Sequence, residues 1–202
     1  MKRIVAICAL IISFLCSFGQ NSEVKNMLKT IEGQWKLDDN NNVTYQRIVE
    51  VPEMKKDEIF NRVLNYFVYN YGSGKSVIQT QDKDNGLIVG KGMYQNVFAG
   101  NLLTPTYIDA WHIVRVDVKD GKARIILTLT DYDEKITGGN TPPVYLSFKV
   151  EQTFPINING GSKNQMDKAF YYSHFYALAT LNAVEKAVKE GNTSKSIENK
   201  EW

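Results

Sequence analysis

The chain has 202 residues, of which 43% are hydrophobic, 23% charged and 11% aromatic, with a formal net charge of +2. These fractions are those of a globular protein and exclude a disordered, collagen-like or coiled-coil chain. A charge so near neutral also argues against holding nucleic acid through clustered Lys and Arg.

Met1-Lys2-Arg3 is a basic start, and Ile4 to Phe18 is apolar apart from Ser13 and Ser17. Ser17-Phe18-Gly19 places small residues where a signal peptidase reads, which predicts export and cleavage after Gly19. The run is shorter than the about 20 residues of an ordinary span; a membrane anchor that stays is the alternative. Leu15 precedes Cys16 and Ile7 precedes Cys8, so the small residue that a lipoprotein site needs before its cysteine is missing. Loss of residues 1–19 takes away Lys2, Arg3 and both cysteines, leaving an electrically neutral, cysteine-free body. That body has no disulfide, no thiolate nucleophile and no cysteine metal ligand. Its expected location is the periplasm or the outer membrane, without a retained transmembrane helix.

Residues 20–42 read as a lead-in with one amphipathic stretch at Val24, Met27, Leu28 and Ile31. Val43 to Val51 alternates as a strand, and Pro52 ends it. Phe60, Val63, Leu64, Phe67 and Tyr71 recur at helical steps from Lys55 to Tyr71, with Asp57 and Glu58 at the positive end of the dipole. Val77–Gln81 and Leu87–Tyr94 read as strands flanking an Asn85-Gly86 hairpin turn. Gly86, Gly90 and Gly92 suggest a bulge or a sharply coiled edge in the second arm. Val97 to Tyr107 reads as a loop or crossover. Ile108–Val118 and Lys122–Tyr132 form a second hairpin about Asp120-Gly121. After the Gly138-Gly139-Asn140 and Pro142-Pro143 loop, Val144, Leu146, Phe148 and Val150 alternate in a further strand, which Phe154 to Ile158 extend.

A long helix from Lys163 to Lys189 carries an inner stripe of Met166, Phe170, Ser173, Ala177, Leu181, Val184 and Val188, and Gly191 stops it. This order predicts an α+β fold, an antiparallel sheet with two main helices packed on one face. The divisions are a signal peptide at 1–19, the lead-in at 20–42, the domain at 43–189 and a frayed polar tail at 190–202.

The run Val43-Thr44-Tyr45-Gln46-Arg47-Ile48-Val49-Glu50-Val51-Pro52, then Lys56-Asp57-Glu58-Ile59-Phe60, resembles a known family. So does Val77-Ile78-Gln79, followed by the stretch from Asp82 to Gly92. The family is domain of unknown function 4468, with a TATA-binding-protein-like fold, found mostly in exported proteins of Gram-negative bacteria. The resemblance spans about Val43 to Tyr132. It implies a curved antiparallel sheet with helices on one side, and it implies no activity; DNA binding does not follow from the name of a fold.

The candidate chemical motifs resolve to structural ones. Gly72-Ser73-Gly74-Lys75-Ser76 resembles the end of a phosphate-binding loop, but Tyr69 stands where its first glycine belongs, and the segment leaves a helix to enter a strand. Asp82, Asp84 and Asn85 suit a hairpin tip better than a calcium loop, whose glycine falls one place later. Asp131, Asp133 and Glu134 read as an acidic tip in a solvated loop.

His112 lies in phase with the apolar face of its strand, and His174 sits among aromatics on the last helix. Neither has the histidine partner of a helical zinc site, and no Gly-x-Ser-x-Gly elbow occurs. With no nucleophile–base pair and no metal cluster, the expectation is a non-enzyme without cofactor.

Opposite the helix-facing side of the sheet, alternation places Trp111, Ile113 and Arg115 together with Ile126, Thr128 and Tyr132. That predicts a large apolar patch, either covered or used for binding. The expected cover is Gln20–Asn42 or Asn101–Tyr107. The patch is still the candidate contact surface, with Trp111, Ile113, Arg115, Ile126 and Tyr132 as its binding residues. Its expected partner is a protein, peptide or envelope component. The alternative function is a carrier of a small apolar ligand, held between the sheet and the last helix near Phe170, Tyr172 and Phe175.

Overall fold

The computed structural model of the chain describes residues 22–70, 78–100, 104–138, 141–158 and 163–191. The apolar leader at 1–19, the glycine-rich segment at Gly72–Ser76 and most of the polar tail expected at 190–202 lie outside the described residues.

In chain order, helix α1 covers residues 22–30, followed by strands β1 (Lys36–Leu37) and β2 (Val43–Glu50). Helix α2 (Lys56–Asn70) precedes β3 (Ile78–Asp82), β4 (Leu87–Gly100), β5 (Thr106–Lys119), β6 (Lys122–Gly138) and β7 (Thr141–Lys149). A single 3-10 turn, Val150–Gln152, and helix α3 (Lys163–Glu190) complete the order. The seven strands form one sheet in the order β1-β2-β6-β5-β4-β3, and β7 pairs with β6. Every neighbouring pair is antiparallel. The fold is α+β, with its helices packed on one face of the sheet.

The long hairpin β5–β6 is the spine. Its two-residue turn is Asp120-Gly121, with Lys119 opposite Lys122 and Gly121 at φ +75°, a left-handed conformation that favours glycine. The same turn anchors the β2–α2 connection. Val51 N donates to Gly121 O at 2.8 Å, Gly121 N to Met54 O at 2.9 Å, and Lys56 N to Asp120 Oδ1 at 2.8 Å. The last of these satisfies a free N–H at the start of α2, where Asp57 and Glu58 also suit the dipole.

Along one edge β6 meets β5 throughout; along the other it meets β2 over Lys122–Thr128 and then β7 over Asp131–Gly138. Between those partners the register slips: Trp111 faces Asp131 while His112 faces Leu129. Thr130 is thus an extra residue, a β-bulge.

The core lies between the inner sheet face and α2 and α3. Ile108, Ala110, His112, Val114, Val116 and Val118 line β5, and Ile59, Phe60, Val63 and Phe67 descend from α2. The whole predicted stripe of α3 is buried, from Met166 to Val188. Arg62 of α2 closes the far end of α3 by donating to the carbonyls of Val188 (3.0 Å) and Lys189 (2.8 Å), acceptors that the helix itself leaves unpaired.

Several boundaries differ from the sequence reading. Val97–Gly100 and Thr106–Tyr107 are strand, not loop. Pro142-Pro143 opens β7 at a sheet edge, where a missing N–H is tolerated. Val150 begins a 3-10 turn, and Phe154–Ile158 does not extend the strand. The acidic trio belongs to β6 rather than to a loop, and Glu134 is buried.

Candidate functional site

The helix-free face of the sheet is built from the residues that alternate outward. The registers set them in rows: Met93, Trp111 and Asp131; Lys91, Ile113, Thr128 and Thr44; Val89, Arg115, Ile126 and Gln46; then Asp117 and Arg124. Four of the five candidates, Trp111, Ile113, Arg115 and Ile126, share this face as alternation requires. Tyr132 does not. The bulge at Thr130 flips every later residue of β6, so Tyr132 points to the helix side and is fully buried.

Trp111 is half-buried and held in place. Its indole Nε1 donates to Asp133 Oδ2 at 2.7 Å, and Lys91 Nζ stands 4.6 Å from the ring centroid, a cation–π distance. Beside it, Lys149 of β7 pairs with Asp131 at 2.6 Å. Burial works to raise the Asp131 pKa, but hydrogen bonds from Lys149 and Thr130 outweigh it and hold the carboxyl below its ordinary value.

Two rows away, Arg115 and Arg124 grip opposite oxygens of Asp117, each with a contact at 2.8 Å. There too burial opposes the arginine bonds and loses, so Asp117 is held ionised. The predicted large apolar patch is therefore corrected. Apolar side chains on this face are interleaved with the Lys149–Asp131 pair and the two arginine contacts of Asp117.

Among the described residues the expected cover is also absent. The lead-in packs on the opposite side: Trp35 meets Phe170 edge-on at 5.5 Å, and Gln34 Oε1 lies 3.2 Å from His174 Nε2. Pro105, from the other candidate cover, accepts Thr137 N at 2.8 Å at the end of the sheet. Residues 101–103 lie outside the described residues.

The histidines serve the interior. His112 stacks on Tyr94 at 3.9 Å and 14°, and burial pushes its pKa down to about 3. Tyr94 in turn lies 2.7 Å from Thr180 of α3 through its hydroxyl. His174 lies 3.2 Å from the Tyr45 hydroxyl, and burial lowers its pKa as well. Among the described residues no group of His, Cys, Asp or Glu is placed to hold a metal ion. Nor is any described helix long and apolar enough to cross a membrane.

Phe170, Tyr172 and Phe175 do not converge. Phe170 is buried, while Tyr172 and Phe175 are exposed on α3. Sequence reasoning missed Lys91, Asp133 and Lys149, the residues that fix the surroundings of Trp111. Their placement depends on the registers of three strands.

Residues 45–133 match a family model described as domain of unknown function (DUF4468) with TBP-like fold. Over this stretch the chain is similar to that family. The DUF4468 match runs from β2 into β6 and contains all five candidate residues. In structure the chain is similar to a TBP-like protein from Parabacteroides distasonis ATCC 8503, at TM-score 0.55 and 21% identity, covering 78% of this chain and 98% of that one. It is also similar to a DUF4468 family protein from Bacteroides ovatus ATCC 8483, at TM-score 0.57 and 18% identity, covering 81% and 95%. At these identities the likeness is one of fold. No curated protein matches the chain.

Proposed function

We propose that the DUF4468 domain of this chain is an exported, non-enzymatic binding module that engages a protein, peptide or envelope component through its helix-free sheet face. One observation carries this reading. Every described helix and the described lead-in pack on the other side, leaving the face that bears Trp111 bare among the described residues. A tryptophan held by Asp133 and Lys91 offers a large contact area that loses little freedom on binding, the usual property of an interface anchor. Nucleic acid is disfavoured as the partner, because Arg115, Arg124 and Lys149 are already engaged by carboxylates and the body without its leader has no positive surplus. The basic start and apolar run at the N-terminus support export.

The test places a photo-crosslinking residue at Ile113 and recovers adducts from the native envelope. A specific adduct is expected, together with a mature N-terminus at Gln20. Trp111→Ala is expected to weaken capture by about thirtyfold, the loss of about 2 kcal/mol typical of a central anchor. Capture unchanged by Trp111→Ala would remove the face from consideration, and a purified cytosolic chain beginning at Met1 would remove export.

A further inference from the structure

A groove of about 500 Å3 runs along one flank of α1, with Leu28, Trp35, Phe154 and Phe170 among its walls. That volume lies inside the roughly 300–1,000 Å3 range of small-ligand sites. The floor is preformed: Phe170 is fully buried and meets Trp35 at 5.5 Å and Phe154 at 5.3 Å, both edge-on. Above the apolar floor, Lys25 and Lys29 stand one turn apart on the exposed flank of α1. Among the described residues neither lies within ion-pair distance of a carboxylate. Glu32 lines the same flank one turn further on, so the positive end of the groove is the end away from Glu32.

We propose that this groove binds a single-chain amphiphile with a carboxylate head. The aliphatic body lies on the Trp35–Phe170–Phe154 floor, and the head meets Lys25 and Lys29. An apolar floor alone would accept any greasy molecule; the lysine pair selects an anion and sets its direction, with Glu32 repelling the reversed pose. The site lies on the helix side of the molecule and stands independently of the sheet-face reading; it shares Phe170 with the expected ligand space but is walled by α1, Trp35 and Phe154 rather than by the sheet, Tyr172 and Phe175.

The experiment titrates the purified full chain with laurate, kept below its micelle concentration, and with lauryl alcohol, which has the same body and no charge. Calorimetry reads affinity, and Trp35 emission reads location. Laurate is expected to bind saturably and at least tenfold more tightly than the alcohol, shifting an emission that Trp35→Phe removes. Reversing the rim with Lys25→Glu and Lys29→Glu is expected to weaken laurate at least tenfold and to abolish the preference. Both lysines are exposed, so the fold survives the change. Asn26→Trp, which fills the groove from its flank, is expected to weaken both ligands, whereas Trp111→Ala changes neither. No saturable binding, a preference that survives charge reversal, or binding lost in Trp111→Ala would each overturn the assignment.

Discussion

Gly90→Ala is expected to lower the unfolding free energy by about 2–3 kcal/mol, and Gly90→Val to abolish the folded state. Gly90 lies on the inner face of β4, opposite Val114. A Cβ there would fall 2.8 Å from Phe67 Cδ1 and nearer still to Cε1. The Phe67 ring is fully buried, with Tyr66 edge-on at 5.5 Å, so it has no free volume into which to retreat. The added methyl must displace α2 from the sheet or force Phe67 off its rotamer. Urea unfolding checks the loss. Phe67→Leu in the Gly90→Ala background is expected to recover at least about 1 kcal/mol relative to additivity, because it removes the colliding ring.

Gly33→Ala is the internal comparison. Gly33 has φ +76° and nothing within 4 Å of its would-be Cβ, so the change costs only the left-handed backbone penalty, about 1 kcal/mol. If Gly90→Ala proved no worse than Gly33→Ala, α2 would not be seated on β4 as described.

The same glycine shows what was legible in the sequence. Gly86, Gly90 and Gly92 suggest a bulge or a sharply coiled edge; one register shift does fall opposite Val89 and Gly90, at Gln79 of β3, and a second lies after Tyr94, where Asn96 has φ +52°. Gly90 also answers a ring twenty-three positions earlier in the chain, a tertiary demand that no local pattern carries. The β5–β6 hairpin was legible because its turn is local: Asp120-Gly121 sets the register, and the register sets Trp111, Ile113, Arg115 and Ile126 on one face.

Tyr132 was not legible. The bulge at Thr130 falls where β6 exchanges β2 for β7 as its neighbour, and nothing in Leu129-Thr130-Asp131-Tyr132 announces that exchange. The Asn85-Gly86 turn was half legible. Gly86 takes the left-handed conformation at φ +68°, yet Asp82 faces Leu87 across a four-residue loop. The Asp82 carboxylate holds that loop by accepting from Asn85 N (3.0 Å) and Asn85 Nδ2 (2.7 Å). Around Trp111 the same limit applies. Alternation found the ring, but Lys91 and Lys149 arrive from β4 and β7, whose registers depend on the assembled sheet.

Acid is expected to destabilise the protein well before its surface ion pairs titrate, and His112 is the main cause. Its imidazole is fully buried and stacked on Tyr94, and burial pushes its pKa from 6.5 down to about 3. The unfolded chain therefore takes up a proton, between those two values, that the folded chain refuses. Stability is complete above pH 6.5 and falls as the pH drops toward 3, by about 1.4 kcal/mol per unit. Two units of acidification then cost roughly 3 kcal/mol, a large share of the few kcal/mol that hold a domain together.

His174, also lowered by burial, adds in the same direction. Asp117, Asp131 and Glu185 are held below their ordinary values, so their contributions fade only when the pH falls below about 4.5. The interval from about 6.5 to 4.5 thus separates the histidines from these three carboxylates. His112→Gln is expected to be less stable than the parent at neutral pH, having lost the ring stacked on Tyr94, yet to show a slope shallower by about one proton across that interval. Urea unfolding at several pH values, with His174→Gln in parallel, reads both effects. An unchanged slope in His112→Gln would mean that this imidazole already carries its proton in the folded protein, and the stack on Tyr94 would then have to be that of a buried cation.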